Sequence, residues 1–199
     1  MNHAAIVYKT LVVGRTYVVQ EGWVRLMHSE GNGRTNFWNL IGTGGMFGDL
    51  PFALTASRPT ERLEHAVASG STYLLEFSRA ALEREMQRNH EFNLVFMRAY
   101  GAFLRFGERR LQWQFTNPLT RRAALVLTDL LRFGTGPCPH GRGYVIPIRL
   151  TQEEFAELLD VARQTLNSLM KEWKEQEIIS YTRSCLCIRN VEVLQRMAS

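Results

Sequence analysis

Residues 151–173, Thr-Gln-Glu-Glu-Phe-Ala-Glu-Leu-Leu-Asp-Val-Ala-Arg-Gln-Thr-Leu-Asn-Ser-Leu-Met-Lys-Glu-Trp, read as two short amphipathic helices joined by a tight turn. Thr151 and Glu154 have the spacing of a capping box, in which each side chain satisfies an orphan backbone donor of the other. Phe155, Leu158 and Leu159 give the first helix its apolar face. Asp160 stands where the chain must turn, and Asp tolerates the left-handed conformation better than most residues. The second helix hides Leu166, Leu169, Met170 and Trp173. Its opposite side carries Arg163, Gln164, Asn167, Ser168 and Lys171 at i, i+1, i+4, i+5 and i+8, a hydrogen-bonding stripe free of carboxylates. Such a stripe is what a helix needs to meet base edges and phosphates in a major groove. An ordinary helical hairpin with a solvated face shows the same periodicity. The next segment favours DNA: Ile178–Tyr181, a short turn and Cys185–Ile188 alternate like a two-stranded wing, with Arg183 at its tip placed to touch a phosphate.

The 199 residues suffice for one large domain or two small ones. No apolar run reaches the roughly 18 residues of a membrane span, so no membrane partner is expected. The start, Met-Asn-His-Ala-Ala-Ile-Val-Tyr-Lys, lacks the apolar core and cleavage pattern of a secretory signal. Three cysteines make an odd count, and Cys185 and Cys187 stand two apart on one strand. Reduced thiols and a cytoplasmic setting are the expectation.

The net charge of +5 hints at an anionic partner, and its distribution is more informative. Residues 1–97 balance, with 9 basic and 9 acidic side chains. Residues 98–149 carry 9 basic side chains against Glu108 and Asp129, whereas residues 150–199 carry 6 basic and 8 acidic. Part of any sequence-independent phosphate attraction must therefore come from the middle arginines.

From Val7 to Phe77 the texture is β: Thr10–Val13, Thr16–Val19, Trp23–Met27, Asn36–Leu40 and Ser71–Phe77 are short strands separated by Gly-rich turns. A short helix over Arg79–Asn89 precedes a long one from about Glu91 to Trp113. In the long helix Phe92, Phe96, Ala99, Phe103 and Phe106 step by 4, 3, 4 and 3, the spacing of a helix-pair seam, and are the candidate dimerisation residues. The competing expectation is that this row packs on its own β domain. Asn117-Pro118-Leu119-Thr120 breaks the helix, and Thr120 is expected to cap the next one, to about Phe133. Gly134–Gly143 reads as a surface loop, and Tyr144–Arg149 as a strand leading into the helix pair.

Enzyme and metal readings draw little from the sequence. His65, Asp49 and Ser78 could be combined into a triad, but no serine lies in a nucleophile elbow. Cys138, His140, Cys185 and Cys187 could supply four soft ligands, at a spacing tighter than a usual zinc knuckle. Neither a catalytic nor a metal site is assigned.

The order β-roll, long helix, hinge, helix, Gly-rich loop, helix-turn-helix and wing resembles the cyclic-AMP receptor protein/FNR family of bacterial transcription regulators. Gly44-Gly45-Met46-Phe47-Gly48-Asp49-Leu50 is similar to that family's G-x-x-F-G-E-L turn. Leu119–Ala124 is similar to its hinge, and Leu150–Ser180 to its DNA-reading unit. Arg58–Ala68 and Phe133–Gly141 resemble most the cyanobacterial global nitrogen regulator branch. The resemblance implies an α+β chain: a shortened N-terminal antiparallel β-roll at 1–90, a dimerisation helix at 91–116 and a C-terminal winged helix-turn-helix at 117–199. It implies a homodimer on a pseudo-palindromic duplex, working with RNA polymerase as an activator. The remaining alternatives are a 2-oxoglutarate-responsive regulator, and a protein-interaction module of the same fold that has lost DNA binding.

Within the resemblance, Phe47, Gly48, Asp49, Leu50, Arg62 and Glu108 are the candidate effector-binding residues. Asp49 replaces the family's ribose-binding Glu, Leu63 replaces a phosphate-binding hydroxyl, and Gly107-Glu108 replace the adenine-contacting Thr-Ser pair. These changes argue against cyclic AMP, because polar ligand groups buried unpaired cost about 1–3 kcal/mol each. Arg62 and Glu108 match a 2-oxoglutarate site, but Phe103 stands where an arginine would clamp a carboxylate. The expectation is an unknown or absent effector and no cofactor. For DNA, Arg163 matches the guanine-reading arginine, Gln164 replaces an acid, and Ser168 replaces a second arginine. Thr120, Thr151, Gln152 and Arg183 are the candidates for phosphate positioning.

Overall fold

The computed structural model describes residues 4–5, 8–10, 14–29, 35–49, 64–116, 118–132, 136–146, 148–182 and 185–199. The chain divides into two units, Met1–Gly107 and Glu108–Ser199.

Among the described residues the first unit contains two four-stranded antiparallel sheets. One has the order β1 (Ala4–Ala5), β8 (Tyr73–Ser78), β3 (Arg15–Glu21), β6 (Met46–Gly48). The other runs β2 (Tyr8–Thr10), β7 (Glu64–Ala68), β4 (Trp23–Ser29), β5 (Thr35–Gly42). Alternation along β3 sends successive side chains to opposite faces. Tyr17 and Val19 join Phe47 and Leu74 from their own sheet and Val24, Leu26, Ile41 and Ala66 from the other in one apolar cluster. Val18 joins a second cluster with α1 (Arg79–Arg88) and α2 (His90–Phe115), built on Met46, Leu82 and Phe96. The β-roll is thus lined on one side by a helical layer.

Three strands carry no clear signal in the sequence. β1 and β6 are too short to show alternation, and β7 lies in the 58–68 stretch read only by its resemblance. β6 pairs with β3 through Tyr17↔Phe47, whose rings stack at 5.2 Å. Gly48, at φ 95, lets that edge approach: a Cβ there would lie 2.5 Å from the Arg15 carbonyl oxygen. Of the strand expected at Thr10–Val13, residues 11–13 lie outside the described residues.

The second unit starts within α2 and continues through α3 (Leu119–Leu131), β9 (Gly136–Pro137), β10 (Tyr144–Val145), α4 (Gln152–Leu158), α5 (Arg163–Glu175), β11 (Ile179–Tyr181), β12 (Leu186–Ile188) and α6 (Val191–Ala198). Pro118 occupies the N-cap of α3 without a side-chain hydrogen bond, and Thr120 is the helix's second residue. The expected Thr120 cap is therefore corrected, because proline's fixed φ lets the helix start two residues earlier. The four strands order as β11-β12-β10-β9. β9 lies inside the segment read as an irregular loop, and the strand expected over Tyr144–Arg149 shortens to Tyr144–Val145.

A second correction concerns the thiols. Cys138 and Cys187 form a disulfide with Cα atoms 5.8 Å apart, and Cys185 is the free cysteine. Neighbours two apart on a strand do not bridge, as expected, but β9 and β12 bring two distant cysteines within reach.

Candidate DNA-reading surface

The surface rests on α4. Thr151 Oγ1 accepts from the Glu154 N–H at 3.1 Å, and Glu154 Oε2 accepts from the Thr151 N–H at 2.8 Å. This capping box fixes where α4 begins. Phe155, Ala156, Leu158 and Leu159 are all buried at 2% exposure or less. Asp160 then takes φ 52, and the Val161 N–H donates back to Ala156 O at 3.0 Å. α5 starts at Ala162, which has cap geometry but no side chain able to cap.

Leu166, Leu169, Met170 and Trp173 anchor α5 by burial, Trp173 at 1% exposure. On the far side Arg163, Gln164, Ser168 and Lys171 are exposed. Three details refine the stripe. Asn167 is half-buried, and its Oδ1 is buried without a hydrogen-bond partner in the structure. Ser168 Oγ donates to Gln164 O at 3.2 Å, one turn back on its own helix. Lys171 lies 3.9 Å from Glu175 with both side chains solvated, a contact of little energetic consequence.

A cleft of about 450 Å³ opens between α4, α5 and the wing, lined by Thr151, Gln152, Arg163, Tyr181, Thr182 and Cys185 among others. The wing residues Tyr181, Thr182 and Cys185 had no signal in the sequence beyond β alternation. Thr182 N–H donates to Cys185 O at 2.9 Å and closes the hairpin. Arg183 lies outside the described residues. Thr120, half-buried in the first turn of α3, does not line this cleft.

The expected dimer seam is placed differently. Phe96 is 5% exposed and packs with Met46 and Leu82; Phe92 and Ala99 pack against the same cluster, and Phe103 against the β core. This row is thus used inside its own unit, and the side chain of Phe106 lies outside the described set. A different row on α2 is solvent-facing: Leu94, Met97, Leu104, Leu111 and Phe115, exposed between 45% and 82%. With Gly101 and Glu108 it steps by 3 and 4 throughout. Both registers of α2 are apolar, and periodicity alone cannot say which one the β-roll takes.

Of the candidate effector residues that are described, Phe47, Gly48 and Asp49 have structural contacts. Phe47 stacks in the core, and the Asp49 carboxylate accepts the Gly14 N–H while the Thr16 hydroxyl donates to Asp49 O. Glu108 is exposed on α2, and Leu50 and Arg62 lie outside the described residues. Ser78 serves as the N-cap of α1, accepting the Ala81 N–H at 3.2 Å. Cys138 and Cys187 are bonded to each other, and among the described residues no group of three or more metal-ligating side chains gathers.

Two family models match the chain in tandem. Residues 3–89 match the cyclic nucleotide-binding domain, and residues 103–197 match the Crp-like helix-turn-helix domain. The chain belongs to the CRP/FNR family of transcription regulators. Among its CRP/FNR relatives is the CRP-like cAMP-activated global transcriptional regulator of Mycobacterium tuberculosis, 26% identical over 185 residues, covering 92% of this chain and 80% of that one. The global nitrogen regulator of Nostoc sp. is 23% identical over 182 residues, again covering 92% and 80%. A solved CRP-family regulator from Thermus thermophilus superposes with a TM-score of 0.77 at 19% identity, covering all of this chain and 96% of its own, which establishes the shared fold. Like other CRP/FNR chains, this one joins N-terminal sheets to a C-terminal helix-turn-helix. Among the described residues no helix is long and apolar enough to cross a membrane.

Proposed function

We propose that this CRP/FNR protein is a homodimeric, sequence-specific regulator that reads a pseudo-palindromic DNA site with α5. The observation that carries this reading is the exposed edge Arg163, Gln164, Ser168 and Lys171 opposite a fully buried Leu166–Trp173 face. Arg163 engages guanine O6 and N7, Gln164 reads a neighbouring base, and Thr151 and Gln152 sit against phosphate in the cleft. Asn167 contributes through its amide nitrogen, since its oxygen is turned inward.

Pairing uses the outward row Leu94, Met97, Leu104, Leu111 and Phe115, which offers a 3–4 seam for a second copy. Two copies then set their α5 helices in successive major grooves, about 34 Å apart. The working parts are a β-roll (1–90), a pairing helix (91–116) and a reading domain (117–199). The protein acts in the cytoplasm on RNA polymerase recruitment and performs no catalysis.

Cyclic AMP does not fit the residues present. The Asp49 carboxylate already accepts a backbone N–H, Leu63 offers no hydroxyl, and Glu108 is a carboxylate where a neutral donor is needed. The effector is a different small molecule or none, with small dicarboxylates such as 2-oxoglutarate the first to try. Selection of bound duplex from a random pool tests the reading, followed by titration at two salt concentrations with and without these compounds. A palindromic consensus bound with a steep salt dependence is expected; failure to enrich any duplex at low salt removes the proposal.

A further inference from the structure

The Cys138–Cys187 disulfide encloses the whole reading unit, because 49 residues separate its ends and α4, α5 and β11 all lie between them. It ties the turn after β9 to β12 of the wing. Other contacts follow the same seam: His140 Nδ1 lies 3.6 Å from Cys185 Sγ, and the Arg189 guanidinium donates to His140 O at 3.0 Å while its Nε donates to Ser180 Oγ at 2.9 Å. Gly143, at φ 106, presses so close that a Cβ would lie 2.1 Å from Ile188 O. The segment 138–143 is therefore a brace under the wing, and the wing is one wall of the cleft that holds Thr151, Gln152 and Arg163.

A regulator that works on the chromosome shares a reducing compartment with it, where persistent structural disulfides are rare and those present are usually transient, serving catalysis or redox sensing. On that basis, which rests on the function proposed above, we propose that Cys138 and Cys187 form a thiol–disulfide exchange site for low-molecular-weight thiols and disulfides, and that its oxidation state sets the wing and hence DNA affinity. In the reducing direction a small thiolate attacks the sulfur of Cys138, the less buried residue of the pair at 6% exposure against 1% for Cys187. The S–S bond breaks, Cys187 leaves as a thiolate and takes a proton, and Cys138 carries a mixed disulfide. A second small thiol displaces Cys138, so the protein gains two thiols and two small thiols become one disulfide. Oxidation by a small disulfide is the reverse. The oxidised form holds the wing against the cleft and binds DNA more tightly.

The test uses the full chain, equilibrated with oxidised or with reduced glutathione. Mass-tagging of thiols is expected to find one free thiol per chain when oxidised and three when reduced. Affinity for the selected duplex should drop about 5–150-fold on reduction, the usual range for coupled equilibria. The difference should vanish in Cys138→Ser and Cys187→Ser and persist in Cys185→Ser. Amide exchange in residues 179–182 and 185–188 should speed up on reduction in wild type and Cys185→Ser. Three free thiols after oxidation, a stoichiometric metal released on thiol tagging, or equal affinity and equal exchange in both states would each overturn the proposal. If neither state binds any duplex while wing exchange still follows the glutathione ratio, the exchange site stands and the DNA-reading function fails.

Discussion

Trp113 Nε1 donates a 3.1 Å hydrogen bond to Asp129 Oδ2, joining the last turns of α2 to α3 across a buried carboxylate. Arg109 pairs with the other oxygen of Asp129, and Arg132 approaches it to 3.4 Å. Burial, and then the charge of Arg132, push the Arg109 pKa below the ordinary arginine value, yet a guanidinium so far above neutral stays cationic. Asp129 is thus held by two cations and an indole. Trp113→Phe keeps an aromatic ring in the site and removes one donor to a charged acceptor, so it should cost about 1.5–3 kcal/mol of stability by denaturant unfolding. Asp129→Ala leaves the buried Trp113 N–H without its acceptor and also removes the partner of Arg109, and should cost more.

Arg163→Ala should weaken binding to the selected duplex by about 1–3 kcal/mol and relax preference at one base pair of each half-site. Lys171→Ala should instead weaken all duplexes alike and reduce the salt slope by about one unit. Competition binding over single-base variants separates the two.

If α2 pairs through its outward row as proposed, its two apolar rows have separable roles. Phe96→Ala empties a buried site and should lower unfolding stability by about 3–5 kcal/mol while the folded protein still pairs. Leu104→Glu, on the outward row, should leave the fold intact and shift sedimentation equilibrium to the monomer. A dimeric Leu104→Glu protein would return the seam to another surface.

α5 begins without a cap. Ala162 has extended φ and ψ of −64° and 139°, the geometry in which a serine hydroxyl reaches the second or third N–H of the helix. Ala162→Ser should therefore raise stability by about 1 kcal/mol, read as a higher midpoint at unchanged slope.

Closing a loop of 49 residues restricts the unfolded chain, and chain-entropy arithmetic assigns about 4 kcal/mol to the disulfide. Thermal unfolding of the oxidised and reduced forms should differ in that direction, with Cys138→Ser behaving as the reduced form in both.

The reading unit was legible because its signals are local: Thr151 and Glu154 cap within four residues, Asp160 turns alone, and Leu166 to Trp173 repeat at helical spacing. What the sequence hid depends on contacts between distant segments. β6 is three residues long and exists because Phe47 finds Tyr17 on β3. The choice between the rows of α2 depends on which one meets Met46 and Leu82. Cys138 and Cys187 become partners only through the order of β9, β10 and β12. Asn167 stands in the right place on the helix wheel, but the burial of its oxygen is decided by neighbours outside the helix.

The bend at Asp160 leaves no slack between the two helices, since Leu159 and Val161 on either side of it are already tied to α4 carbonyls. Each residue of an α-helix advances about 100° around its axis. Adding or deleting one residue in that bend would roll α5 by more than a quarter turn, swinging Arg163 toward the protein interior and Leu166 toward water. The bend therefore sets the rotational phase of the helix, and with it which side chains the duplex can meet at all.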